Sequence, residues 1–118
     1  MTAAAKSIFY FSLYLYVTGI TLIFIPNLFL RTVLLPETTE VWIRVVGVLV
    51  LLIGFYYHRN AVSNTVSFFK LTIPARLFVL LAFSAFALLK FVSPVLIFFG
   101  VIDALGALWT WSALKKAT

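Results

Sequence analysis

The sequence predicts an all-α integral membrane protein, a four-helix up-down-up-down transmembrane bundle with both termini in the cytoplasm. Three observations predict it. The 118-residue chain is 64% hydrophobic and 10% charged, against about 25% charged in soluble domains. A body this small has too much surface to hide so much apolar side chain, so lipid must be its solvent. Apolar runs of spanning length recur at about 7–26, 41–58, 72–91 and 94–114, parted by short polar breaks. The basic residues fall unevenly on the two ends of those runs. Residues 1–118 read as a single transmembrane domain without an internal repeat.

The first run, Ser7 to Ile25, meets the need for about 20 apolar residues at 1.5 Å each. It is longer than the apolar part of a signal peptide, and no small-x-small cleavage site follows it, so it reads as a retained span. Pro26-Asn27 should kink or end that helix. Leu28 to Leu35, broken by Arg31, should lie at the interface. Pro36 to Glu40 reads as a loop in which Thr38 or Thr39 caps the next helix and Glu40 suits its N-terminus.

The second run starts at Val41. Trp42 marks one bilayer boundary and Tyr56-Tyr57 the other. Arg44, Gly47, Leu51, Gly54 and His58 recur at alternating steps of three and four, which places them on one helical stripe. Glycines on such a stripe suit close approach by a neighbouring helix. Residues 60–70 are polar enough to leave the membrane and fit either a short interfacial helix or an extension of the flanking spans. The third run is expected from Thr72, with Pro74 in its first turn, Arg76 a little inside it and Lys90 closing it. Ser93 is a cap for the fourth run and Pro94 its first residue. Gly100, Ala104, Gly106 and Thr110 give that run small-residue faces, and Lys115-Lys116 anchor its end below Trp109 and Trp111.

Orientation follows from the bases. One side holds Lys6, Arg59, Lys70, Lys115 and Lys116, with Arg76 expected just inside the membrane beside them. The other holds Arg31 and Lys90, with Arg44 just inside, and both glutamates. The positive-inside rule puts the first side in the cytoplasm. The same placement accounts for the net charge of +6 without nucleic acid, and no basic run is interleaved with aromatics.

One residue stands out against this background. Asp103 is nine residues from Pro94, roughly 13 Å along the helix and near the midplane of a ~30 Å core. An acid at that depth faces the bundle interior or a cavity and needs a partner. Arg44, about 5 Å below the outer boundary by helical rise, is the expected partner, the alternative being that it snorkels to the headgroups. Together they are the expected ligand or buried polar contact. Arg76, Arg59 and Lys70 are expected headgroup contacts, as anchors or as a clamp on a lipid phosphate or carboxylate. His58 is a candidate to titrate near neutral pH, or simply interfacial trim. Tyr10 and Tyr14 share a face and could direct hydroxyls toward Asp103.

Several chemistries are excluded. The chain has no cysteine and one histidine, so no thiolate nucleophile and no cysteine or histidine-cluster metal site is expected. A Gly-rich phosphate loop, a nucleophile elbow and carboxylates paired at catalytic spacing are all missing. No catalytic residue, metal or cofactor is assigned.

Arg44-Val45-Val46-Gly47, Gly54-Phe55-Tyr56-Tyr57, Arg76 at the head of span three, and Gly100 through Thr110 form a pattern. It resembles small bacterial four-span membrane proteins, loosely the DoxX-like group. The resemblance covers spans two to four. It implies a bacterial inner membrane and a four-helix bundle, and transfers no catalytic residue.

Three functions are compatible with these residues. The first is a binding or accessory bundle holding a lipid, a quinone, another hydrophobic small molecule or a membrane partner, with Arg44 and Asp103 as polar contacts. The second is a homo-oligomeric transporter or cation channel, joined through Gly47, Gly54, Gly100 and Ala104, with Asp103 repeated around the axis. The third is a lipid-modifying enzyme using Asp103 as general acid or base, for which a second catalytic group is missing.

Overall fold

A computed structural model describes residues 1–116. The chain forms α1 (Ala3–Phe24), α2 (Pro26–Thr32), α3 (Trp42–Val62), α4 (Val66–Leu88) and α5 (Val95–Lys116), with no strand among the described residues. The four long helices α1, α3, α4 and α5 are each long and apolar enough to cross a membrane.

Local chemistry sets the ends of these helices. The Thr2 hydroxyl accepts a hydrogen bond from the Ala5 N–H at 3.1 Å and caps α1. Pro26 disfavours helix at the residue before it, and Ile25 leaves the helical region with φ −137°. Pro26 then serves as the first residue of α2, where its missing N–H costs nothing. The stretch expected at the interface is therefore a short helix folded back on the bundle. Its Pro26 and Leu30 are buried, and the ring of Phe29 meets Phe99 at 5.9 Å.

α2, α3 and α4 are followed by left-handed residues that are not glycine: Leu34 (φ 65°), Asn64 (φ 51°) and Lys90 (φ 64°). In each case the next N–H reaches back to close the helix. Leu35 bonds Leu30 O at 2.8 Å, Thr65 bonds Asn60 O at 3.0 Å, and Phe91 bonds Phe86 O at 2.9 Å. These are Schellman-type ends, which satisfy carbonyls the helix leaves open. Asparagine tolerates this conformation, whereas leucine and lysine hold it at a cost of order 1 kcal/mol each.

One reading left open is decided, and two expected boundaries are corrected. α3 continues to Val62 and α4 begins at Val66, so residues 60–70 form the ends of two spans and a tight turn, not an interfacial helix. Span three thus starts at Val66 rather than Thr72, and Pro74 lies inside α4. Val41 precedes α3 without a side-chain cap. Thr38 instead accepts from the Glu40 N–H at 3.1 Å and donates its own N–H to Asn27 Oδ1 at 2.9 Å. Ser93 behaves as expected, its hydroxyl accepting from the Val95 N–H at 3.3 Å.

Helix α3 packs along α1, α1 along α5, and α5 along α4. The consecutive helices α3 and α4, although joined by a tight turn, do not pack along each other. The long helices therefore neighbour one another in the order α3, α1, α5, α4, and the two end helices meet through side chains such as Tyr57 and Phe68, whose rings lie 5.4 Å apart. Glycines make this packing tight. A Cβ at Gly19 would lie 2.8 Å from Leu51 N and 2.9 Å from Gly47 O, so the backbones of α1 and α3 cross in near contact. Gly54 receives Leu15 and Tyr16, and Gly100 receives Leu80. The small residues expected to join subunits, Gly47, Gly54, Gly100 and Ala104, are thus packed or buried within one chain. Lipid separates no helices at these positions, and close backbone packing is satisfied internally.

Candidate ligand cavity within the spans

The centre of the site is Arg76. Because α4 starts at Val66, Arg76 lies ten positions into the helix and twelve from its end at Leu88. It is therefore a mid-helix residue and not the headgroup contact expected at the inner boundary. It is 2% exposed. Buried guanidinium groups need acceptors and polarisable neighbours, and neighbouring helices supply both.

Its Nε donates to Thr72 O at 3.2 Å, and its Nη2 donates to Thr72 Oγ1 and Thr110 Oγ1, each at 2.8 Å. Thr72 passes its own proton to Phe69 O at 2.7 Å. Ser7 donates to Ala4 O at 2.7 Å, so in its 2.7 Å contact with Thr110 it accepts. The chain of donors thus runs from Arg76 through Thr110 and Ser7 to the backbone of α1, tying α4, α5 and α1 together. The rings of Phe11 and Tyr57 flank the guanidinium carbon at 5.0 and 5.7 Å. Gly106 makes room for it, since a Cβ there would meet Nη1 at 3.0 Å.

One donor is left over. Arg76 Nη1 is buried and has no hydrogen-bond partner. Leaving a buried charged donor unsatisfied costs about 1–3 kcal/mol or more, so the position is informative.

Asp103 lies eight positions into α5 and is half-buried. Among the described residues it makes no hydrogen bond or ion pair; the ion pair present joins Arg31 and Glu37 at 3.5 Å in the loop region. The charge of Arg76 acts on Asp103, and Asp103 acts in turn on Tyr14 and Tyr57. Asp103 and Arg76 both line a cavity of about 630 Å³ with walls from all five helices. Its polar lining is confined to Tyr14, Thr18, Tyr57, Thr72, Arg76 and Asp103, and the rest is aliphatic or aromatic.

The arginine that shares the cavity lining with Asp103 is not the one expected. Arg44 is exposed, does not line the cavity, and donates to the carbonyl of Ile23 in the last turn of α1. Arg59 and Lys70 are exposed and stand apart from the buried Arg76, so the three do not form a clamp. The Nδ1 of His58 pairs with Tyr16 Oη at 3.0 Å, and its ring meets Phe9 edge-on at 5.8 Å. Tyr10 is exposed and stacks on Trp109 at 6.0 Å, whereas Tyr14 lines the cavity.

Sequence reasoning missed Thr72, Thr110 and Ser7. A usable signal was present, because Thr72 and Arg76 are spaced i, i+4 on one face. The other two are not singled out, since Ser12, Thr18 and Thr21 share the run of Ser7 and Ser112 shares that of Thr110. No protein-family model, curated protein or solved structure matches this chain.

Proposed function

We propose that the protein is a binding bundle for a lipid-like small molecule. The single observation that supports it most is the cavity of about 630 Å³. Its size lies within the ~300–1,000 Å³ usual for small-ligand sites, and a few convergent polar groups in an apolar lining are the usual composition. Helices α3 and α4, which supply facing walls of the cavity, do not pack along each other.

The proposed setting is the inner membrane of a bacterium, in an up-down-up-down arrangement with both termini cytoplasmic. The contacts support that topology. Leu22 meets Gly47 and Tyr16 meets Gly54, Ser7 meets Thr110 and Phe11 meets Gly106, and Leu80 meets Gly100 while Arg76 reaches Thr110. Along each pair one number falls as the other rises, the pattern of antiparallel neighbours. The basic residues Lys6, Arg59, Lys70, Lys115 and Lys116 then share one end, which supports the orientation.

The test is native mass spectrometry of protein released gently from membranes. The wild-type chain is expected to retain a lipid-like mass. Val79→Trp fills the cavity from the α4 wall and is expected to lose that mass while eluting as the wild type does. A wild-type protein that carries no adduct, or an adduct that survives Val79→Trp, would count against the reading.

A further inference from the structure

One wall of the cavity has a direction. On α3 the lining residues are Ile43, Val46, Val50, Ile53 and Tyr57. They recur at steps of three and four, so they share one helical face. From Ile43 to Tyr57 that face runs ~21 Å at 1.5 Å per residue. It is aliphatic until its last member, and Tyr57 lies five positions before the end of α3 at Val62. We infer that the cavity takes the chain of an acyl ester along this face, and that the Tyr57 hydroxyl donates to the ester carbonyl. This deepens the binding reading above and rests on it.

Tyr57 is 7% exposed and lines the cavity. Its ring is held by Phe11 at 5.6 Å and, edge-on, by Phe68 at 5.4 Å. A buried tyrosine usually finds a partner for its hydroxyl, yet this one makes no hydrogen bond among the described residues. The buried polar atom there that is both unpartnered and sealed from contact is Arg76 Nη1. The Tyr57 hydroxyl is thus unpartnered but reachable, and the space that its residue lines is the cavity.

A phenolic O–H needs an acceptor. An alcohol or a protonated acid offers one but brings a proton of its own to place. An ionised head brings a charge, which is costly within a span. An ester carbonyl accepts and donates nothing, so it completes Tyr57 and leaves no further donor to satisfy. Beyond the carbonyl the molecule must be hydrocarbon, because the other residues on this face are aliphatic. The requirement holds whether or not Asp103, across the cavity on α5, is ionised. Tyr14 is the other tyrosine in the lining. It lies on a different wall, on α1, with Thr18 one turn further on, and it serves as the control.

The experiment incubates delipidated protein in mild detergent with equimolar methyl oleate and oleyl methyl ether, which differ only in the carbonyl, and reads bound lipid by native mass spectrometry. Wild type should retain the ester over the ether by about fivefold, the effect of one neutral hydrogen bond. Tyr57→Phe keeps the ring and removes the hydroxyl, and should retain the two equally. It breaks no hydrogen bond within the protein, so it is expected to elute and melt as the wild type does. Tyr14→Phe should keep the wild-type ratio. Equal retention by the wild type, or a preference for the ether, overturns this inference whatever the variants do, and leaves the binding reading standing. A ratio that Tyr57→Phe leaves unchanged, or that Tyr14→Phe abolishes instead, does the same. Retention of neither probe by the wild type also overturns the inference, and the binding reading falls with it only where gently released protein carries no lipid-like mass either.

Discussion

At the residue scale, the chemistry of the bundle turns on which arginine shares a cavity with the Asp103 carboxylate. Asp103 was legible in the sequence because an acid amid an apolar span has few tolerable environments. Its counterpart was not, since the depth of an arginine depends on where its helix begins. Placing span three at Thr72 puts Arg76 at the headgroups. The actual start at Val66 adds six residues, about 9 Å of rise, and carries it to mid-span. The hydroxyl of Thr110, 0% exposed, is what fixes the Arg76 fork against α1 and α5. Thr110→Val preserves volume and removes the acceptor from Nη2. It is expected to lower stability by about 1–3 kcal/mol, read as an earlier midpoint in reversible detergent-denaturant unfolding. Thr21→Val is the contrast, because the Thr21 hydroxyl only bonds the Val17 carbonyl of its own helix. That change should shift the midpoint by less than about 0.5 kcal/mol.

At the element scale, glycine spacing predicted close helix contacts and left open whether they lie within one chain or between subunits. The stripe Gly47–Gly54 on α3 is a real packing face, but periodicity alone does not say whether it meets a helix of the same chain or of another. Gly19, whose importance the sequence did not reveal, decides this. It lies opposite Gly47, with backbone atoms as neighbours, and backbone cannot swing aside. Gly19→Ala should therefore separate α1 from α3 and destabilise by about 1–3 kcal/mol, even after the helix-propensity gain of roughly 0.8–1.0 kcal/mol from replacing glycine. Gly54→Ala meets Leu15 Cβ at 3.1 Å and Tyr16 Cδ1 at 3.3 Å. These contacts are looser than the 2.8–3.0 Å backbone contacts at Gly19, so Gly54→Ala should cost less than Gly19→Ala. Thermal unfolding of the two variants in one detergent checks the order. If Gly19→Ala melts no earlier than Gly54→Ala, the backbone crossing is not what holds α1 to α3.

At the scale of the whole molecule, the sequence determined four spans readily and their arrangement only in part. Apolar length is a local property, whereas the order of the helices depends on which faces find partners. Helix α4 exposes Leu71, Leu77, Phe78 and Leu81 and has no strong apolar asymmetry to announce the side that packs. The basic residues do carry long-range information, and the structure sharpens it. With Arg76 withdrawn to the interior, the proposed cytoplasmic end holds Lys6, Arg59, Lys70, Lys115 and Lys116. At the other end Arg31 is paired with Glu37 and Arg44 is tied to the Ile23 carbonyl. With Lys90 that end carries three bases against the five opposite, and the rule counts bases. Because the chain has no cysteine, single substitutions report sidedness cleanly. Ser63→Cys lies in the exposed α3–α4 turn and Glu40→Cys in the exposed loop before α3. In intact spheroplasts a membrane-impermeant maleimide should label Glu40→Cys and leave Ser63→Cys unlabelled until the membrane is disrupted. The reverse pattern would invert the bundle, and labelling of both in intact cells would mean that α3 does not cross the bilayer.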